Sequence, residues 1–336
     1  MGEPSTTAGR LRGVARPTLP TLLRIGRWIW AGVLFGWFAW HTYHRISLFL
    51  DLHLPVGIDA RIYYRGVVDW LHGGDPWAAA VTAGGATYHY AGSPATTVVL
   101  APAGLLSEDV FTALWLALSA AAAVFVLRRV HLPIWWLLFP PISEALFSGN
   151  PQLVVLALLL ADRSWLAAVA TALKVYAFIP LVGEGRWKAI AAAVAFNVAT
   201  IASAPGLWLK YIGDFGMISG RLAQESLHGY SAFYFPGLLV VTAIALVALA
   251  LRDRRAAGWL AVPAAWPASQ FHYSTMALPV MTPFLAFFLA IPELRLPPEI
   301  ITIEIARRLV SPTVMRAVAR WRGSAAIPDD APASDG

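Results

Sequence analysis

Residues 57–71 read GIDARIYYRGVVDWL and follow the first long apolar run of the chain. Beyond Asp59, apolar residues recur at i, i+3, i+4 and i+7, and polar residues fall on the other side. The apolar set is Tyr64, Val67, Val68 and Leu71, and the polar set is Arg61, Arg65, Asp69 and His72. This spacing predicts an amphipathic helix that lies along a membrane surface and stops at Gly73-Gly74. It places Asp59 at or near the N-cap, where a carboxylate accepts backbone N–H bonds.

The composition predicts an integral membrane protein. Of 336 residues, 58% are hydrophobic and 13% are charged, about half the charge that soluble domains carry. The apolar runs are continuous, which favours helices over a β-barrel. The net charge of +6 is attributed to cytoplasmic loops and anionic lipid, because no nucleic-acid motif accompanies it. The absence of cysteine excludes disulfides and thiol catalysis.

The apolar runs predict about ten transmembrane helices. They cover 28–49, 94–107, 109–127, 133–147, 150–162, 164–182, 187–204, 233–251, 256–270 and 275–291. The first run lacks a cleavage site and is predicted to be a signal anchor after an arginine-rich cytoplasmic tail, 1–27. Short runs are tolerated at membrane depth where they are buried in protein or line a cavity.

This topology places both termini in the cytoplasm and two large loops, 50–93 and 205–232, on the outer face. The segment 293–336 is predicted to be cytoplasmic, with residues 301–322 along the inner membrane surface and a disordered tail. Arg128 and Arg129 would lie outside, against the usual charge bias. Two explanations stay open: the run 94–107 is re-entrant, or the two arginines bind an anion.

Several short motifs follow one another in a specific order. They are HGGDPW (72–77), YHYAGSP (88–94), SGNPQ (148–152), LKVYAFIP (173–180) and QFHYSTMALP (270–279). With the Asp59 loop, this order resembles the polyprenol-phosphate-mannose-dependent mannosyltransferases of glycosyltransferase family 87, in the GT-C superfamily. The resemblance covers roughly residues 28–292 and implies a GT-C fold whose first outer loop carries a catalytic aspartate, Asp59. Asp51 and His53 lie close in sequence and are rival acid–base candidates.

The chemistry explains why a carboxylate is needed. An acceptor hydroxyl is a poor nucleophile until a base within hydrogen-bond reach takes its proton. The lipid-phosphate leaving group gains negative charge and needs fixed cations or donors. Lys174 lies within an apolar run, where an ionisable residue costs about 2.5–3.5 kcal/mol on insertion scales, so it is predicted to bind phosphate or to pair with Glu144. His272, Arg61 and Arg221 are the other candidate phosphate ligands.

Substrate-binding candidates come from aromatic and polar positions in the same segments. They are Tyr63, Tyr88, Tyr90, Asn150, Glu225 and His228. For the tyrosines the competing explanation is an ordinary membrane-interface role, and for Asn150 it is satisfaction of broken-helix backbone. No metal site is predicted, because no carboxylate cluster accompanies His41 and His44, and a metal-independent enzyme is expected.

The sequence therefore predicts a plasma-membrane glycosyltransferase that is active on the outer face. It would move mannose from polyprenyl-phosphate-mannose to a hydroxyl of a cell-envelope glycolipid or glycan, with inversion. Two alternatives stay open: the same chemistry with a lipid-phosphate arabinose or another pentose, or a lipid-linked sugar transporter without chemistry. The transporter would be expected to have paired broken helices in two related halves, and the sequence has no such repeat.

Overall fold

A computed structural model of the protein describes residues 19–226 and 230–324. The described chain is mostly helical, as the apolar runs predict. Its α-helices are α1 (Leu19–Asp51), α2 (Ile58–Leu71), α3 (Pro94–Leu100), α4 (Glu108–Arg129), α5 (Pro140–Ser148), α6 (Gln152–Leu160), α7 (Ser164–Leu173), α8 (Phe178–Glu184), α9 (Trp187–Ser203), α10 (Pro205–Ser226), α11 (Pro236–Ala250), α12 (Arg254–Ala265), α13 (Pro283–Phe288) and α14 (Pro297–Ser324).

The first loop also contains a small hairpin that the all-α prediction omits. Strands β1 (Ala80–Ala83) and β2 (Ala86–His89) pair antiparallel, with Ala80 opposite His89. The connection is Gly84-Gly85, and both glycines have positive φ (59° and 75°). Two such residues form the turn whose twist matches a hairpin, so the glycine pair explains the strands.

The prediction of ten membrane spans is not confirmed. Within residues 19–226 and 230–324, α4 alone is long and apolar enough to cross a membrane. The bent pairs α5–α6 (114°) and α9–α10 (101°) raise the number to three if each pair is one span. Proline interrupts some of the other apolar runs, such as 275–291, where α13 begins only at Pro283, since proline does not continue a helix without cost. The first run is undivided and lies within α1.

The predicted run 164–182 is interrupted at Lys174, which is extended (φ −149°, ψ 113°) between α7 and α8. Hydroxyls at the start of α3 satisfy the carbonyls that this break frees. Thr96 Oγ1 donates to the carbonyls of Ala172 (2.9 Å) and Leu173 (3.2 Å), and Ser93 Oγ donates to that of Ala172 (3.3 Å). A break at this depth is stable because its freed polar groups find partners inside the protein.

The helix predicted over the opening stretch is confirmed as α2, but its start and its buried side differ. Gly57 is the N-cap, with a left-handed φ of 76°. Asp59 therefore lies inside the first turn and is not the cap. The buried side is centred on Tyr63 and Val67, whereas Leu71 is exposed. The helix thus packs its buried side against protein.

Ion pairs hold α2 against the start of α4. Glu108 accepts from Arg61 Nη1 at 2.8 Å and from Arg65 Nε at 2.9 Å. Gly66 on the opposite side allows close approach, because a Cβ there would lie 2.5 Å from Cγ of the Tyr90 ring. These contacts fix the helix that carries Asp59.

The second predicted loop, 205–232, is mainly the helix α10, which turns 101° away from α9. Leu207 and Ile218 are buried against the protein, and Leu209, Ile212 and Phe215 are exposed. A helix with apolar residues on both sides suits a position in the membrane interface.

Residues 301–322 are predicted to lie along the inner membrane surface, and one side of the first turns of this segment packs against the protein. Ile301 and Ile305 of α14 are fully buried, and Thr302 Oγ1 lies 3.0 Å from Thr242 Oγ1 of α11. Glu304, 3% exposed, pairs with two arginines of its own helix. Ile301 and Ile305 of α14 therefore cover other helices, whereas the predicted disordered tail, 327–336, lies outside the described residues.

Candidate functional site

A cavity of about 420 Å³ opens between the first loop and the broken helices. This size suits one sugar phosphate group, since small-molecule sites span roughly 300–1,000 Å³. Six of the predicted site residues line it: Asp59, Tyr63, Tyr88, Asn150, Lys174 and His272. They come from segments up to two hundred residues apart, so the fold brings them together as the motif order suggested.

Asp59 is anchored by Asn150. The Asp59 Oδ2 accepts a hydrogen bond of 2.8 Å from Asn150 Nδ2. Asn150 Oδ1 also accepts from the backbone N–H of Gln152 (3.1 Å) at the start of α6. One amide therefore satisfies the broken helix and orients the carboxylate.

The break that carries Asn150 is built against the start of α2. Gly57 N donates to the carbonyl of Phe147 at 2.7 Å. Gly149, with a left-handed φ of 70°, closes α5, and a Cβ there would lie 3.1 Å from Ala60 Cβ. The backbones of the two segments thus set the distance between Asp59 and Asn150.

Lys174 lies among tyrosines. Its Nζ donates to Tyr273 Oη at 3.4 Å and lies 5.6 Å from the centroid of the Tyr63 ring. Within the described chain it makes no ion pair. The predicted pairing with Glu144 is therefore wrong, because Glu144 is engaged elsewhere, and Lys174 is a cation without a fixed counter-ion at the cavity wall.

Glu144 joins Arg45 to His272. Its Oε2 accepts from Arg45 Nε at 2.5 Å, and its Oε1 lies 3.3 Å from His272 Nδ1. Because an ionised carboxylate only accepts, Nδ1 carries the proton. His272 Nε2 is buried and has no partner among the described residues. The glutamate thus leaves one free ring nitrogen in the cavity wall.

The hairpin forms another part of the wall through Tyr88 and His89. Burial lowers the pKa of His89, and the charge of Arg221 lowers it further. The ring is therefore neutral at neutral pH. Its Nδ1 has no hydrogen-bond partner in the part of the chain that the structure describes, so it is able to bond a sugar hydroxyl.

Three predicted contacts are not found at the cavity. Arg61 pairs with Glu108 and Asp109 (2.8 and 3.0 Å) and does not line it. Arg221 Nη1 donates to the carbonyl of Trp77 at 2.8 Å. Tyr90 is buried and hydrogen-bonds Thr97, so it supports Tyr63 from behind with its ring edge-on. Local ion pairs and packing, which spacing does not reveal, explain each case.

The rival bases do not line the cavity, and the side chains of the last two substrate candidates are not described by the structure. Asp51 and His53 are exposed and do not line the cavity. The side chain of Glu225 and all of His228 lie outside the described residues. Among the described residues no group of three or more His, Asp or Glu is arranged to hold a metal ion; metal independence stays a prediction.

Two residues of the cavity wall were not predicted from the sequence as ligands. Arg45 lies near the end of the first apolar run, and its position at membrane depth was the available signal. His89 had no signal apart from its place in the YHYAGSP motif. Each was recognisable only once the partner segments were in place.

Comparisons with protein-family models, with curated proteins and with solved structures find no match for the chain. The relationship to the mannosyltransferases accordingly stays a resemblance carried by the motif order.

Proposed function

We propose that this chain is a membrane glycosyltransferase that uses a lipid-phosphate sugar. The donor is polyprenyl-phosphate-mannose, and the acceptor is a hydroxyl of a cell-envelope glycolipid or glycan on the outer face of the plasma membrane. The observation that carries the proposal is the cavity itself. It places an anchored carboxylate, Asp59, with a cation that lacks a counter-ion, Lys174, and a histidine with a free nitrogen, His272.

The reaction is a single displacement. Asp59 takes the proton of the acceptor hydroxyl, whose oxygen attacks the anomeric carbon from the side opposite the phosphate. The bond between that carbon and the phosphate oxygen breaks, and its electron pair stays on the lipid phosphate. The configuration of the sugar inverts. The proton remains on Asp59 until solvent or the departing phosphate removes it.

The wall residues have separate roles in this step. Lys174 stabilises the charge that grows on the phosphate. With Nδ1 protonated, His272 Nε2 accepts hydrogen bonds and shares a proton with Asp59, and it donates to the phosphate only as an imidazolium. Tyr63 and Tyr88 contact the sugar or the first prenyl units, and Asn150 keeps the carboxylate in place. The neighbouring apolar wall, which includes Phe49, suits the lipid chain.

A lipid-linked sugar transporter without chemistry would suit paired broken helices in two related halves. Two bent pairs are present within the described ranges, but their lengths differ. The first joins helices of 9 and 9 residues, and the second joins helices of 17 and 22. Unequal pairs do not form a repeat, so the enzyme is the better-supported function.

The test is an in vitro assay with polyprenyl-phosphate-mannose, polyprenyl-phosphate-arabinose and a panel of envelope glycolipids. The native protein should transfer one of the two sugars, and Asp59→Asn should lose at least about a hundredfold in rate while it stays folded. Asp51→Asn serves as the matched control because Asp51 lies outside the cavity. Transfer that survives Asp59→Asn would remove the assigned base, and no transfer by the native protein would refute the enzyme.

A further inference from the structure

Arg45 is held in a fixed orientation but has no role in the proposed reaction. Its Nε is held by Glu144, and its guanidinium lies 4.6 Å from the centroid of the Phe49 ring and 5.8 Å from that of Phe271. The carboxylate and the two rings fix the plane of the guanidinium. Arg45 therefore cannot turn freely, although its side chain is 21% exposed.

Most of the donors of this guanidinium are unused. Of five N–H donors on an arginine side chain, the Nε–H is bound to Glu144. Neither Nη group makes a hydrogen bond to the part of the chain that the structure describes, and Arg45 lines the cavity. His272 Nδ1 contacts the other oxygen of the same carboxylate, and its Nε2 is buried and unpaired. Two immobilised groups with free nitrogens thus share one wall.

We propose that Arg45, held in place by Glu144, binds the phosphate of a singly charged prenyl phosphodiester in the cavity. A guanidinium fork matches two oxygens of one phosphate, which an ammonium such as Lys174 cannot do. The identity of the ligand rests on the proposed function, whereas the anion site rests on the free donors.

The charges in the wall select the kind of phosphate. Arg45 and Lys174 are balanced by Asp59 and Glu144, and both histidines of the wall leave this balance unchanged when neutral. No surplus of positive charge is present to neutralise a diphosphate or a nucleotide. A phosphodiester carries one negative charge, so the directional donors of Arg45 are sufficient to hold it.

The experiment measures binding to the detergent-solubilised full chain. The probes are farnesyl methyl phosphate (a lipid phosphodiester), farnesol (the same lipid without an anion) and inorganic phosphate. Native protein should bind the phosphodiester at least about tenfold more tightly than farnesol, because a charge-assisted hydrogen bond supplies that factor or more. Inorganic phosphate should bind weakly, since it lacks the lipid.

The decisive variant is Arg45→Met combined with Glu144→Gln. It removes one positive and one negative charge, so the net charge of the wall is unchanged and no buried carboxylate is left unpaired. The preference for farnesyl methyl phosphate over farnesol should fall about tenfold, with farnesol binding unchanged. Arg45→Lys keeps the charge but loses the fork, and should weaken phosphodiester binding roughly tenfold; it carries the test if the double variant does not fold.

Arg163 supplies matched controls, because it is exposed just before α7 and does not line the cavity. Arg163→Met and Arg163→Lys should leave binding of both lipids unchanged. Equal affinity of native protein for phosphodiester and farnesol, or a preference that is undiminished in the double variant, would overturn the assignment. Arg45-dependent binding of inorganic phosphate as tight as that of the lipid would overturn the lipid source.

The binding and transfer assays separate this inference from the proposed function. Arg45-dependent binding of the phosphodiester without any sugar transfer would uphold the site and refute the enzyme. Mannose transfer with the same KM for donor in the native and double-variant proteins would uphold the enzyme and refute the site.

Discussion

Asn150→Asp places a second carboxylate against Asp59. In the native protein, Asn150 Nδ2 donates to Asp59 Oδ2 over 2.8 Å. After the substitution two carboxylates would face each other at this distance. Like charges so close cannot both ionise easily, and the pair then holds one proton over a wider pH range.

The size of the effect follows from Coulomb's law. Two unit charges about 4 Å apart repel by about 4 kcal/mol at an effective dielectric constant of about 20, which corresponds to roughly 3 pH units at about 1.4 kcal/mol per unit. Asp59 is partly exposed, and water reduces the repulsion. We therefore expect the acid limb of the transfer profile to move upward by about 1–2 pH units.

The assay is kcat/KM for sugar transfer between pH 4 and pH 9. Asn150→Ala is the control that removes the hydrogen bond without adding charge, and its acid limb should move by less than about 1 unit. Thermal unfolding of each variant at each pH separates loss of fold from loss of base. An unchanged acid limb in Asn150→Asp would show that Asp59 is not the group whose protonation limits transfer.

Three further substitutions test how the site is supported. Arg61→Gln should leave the KM for donor within about twofold and cost about 0.5–1 kcal/mol of stability in a thermal melt; a tenfold rise in KM would restore its predicted phosphate role. Gly149→Ala, at a left-handed φ of 70°, should cost about 1–3 kcal/mol and slow transfer, and unchanged values would mean that the break tolerates a Cβ. Thr96→Val should leave the Leu173 carbonyl without its side-chain donor and the Ala172 carbonyl with Ser93 Oγ alone, and cost about 1–3 kcal/mol in denaturant unfolding; a variant as stable as native would contradict that capping role.

The local elements of this protein were predictable because they depend on neighbours in sequence. The spacing of apolar residues after Asp59 predicted α2, and the last residue of that apolar set, Leu71, is where the helix ends. Continuous apolar runs predicted the helical class. The breaks near Asn150 and Lys174 carry proline, glycine or a buried charge, which are visible signals of interruption, although their angles are not.

Partner choice among charged side chains was not predictable. Arg61 and Arg45 have the same donors, and Arg61 was the predicted phosphate ligand. In the folded chain Arg61 is neutralised by Glu108, whereas Arg45 reaches the cavity across Glu144. Which cation meets which carboxylate depends on how the helices pack, since ion pairs form between segments about fifty to one hundred residues apart.

The sequence by itself determined a helical, strongly apolar chain, an amphipathic helix that begins beside Asp59, and the motif order on which the proposed chemistry rests. Tertiary structure alone decided that Asn150 holds Asp59, that Lys174 lies among tyrosines and that Glu144 serves Arg45 and His272. The physical reason is the range of the forces. Backbone hydrogen bonds and helical periodicity act within a few residues, whereas the direction of a side-chain donor is fixed only when distant segments close the cavity around it.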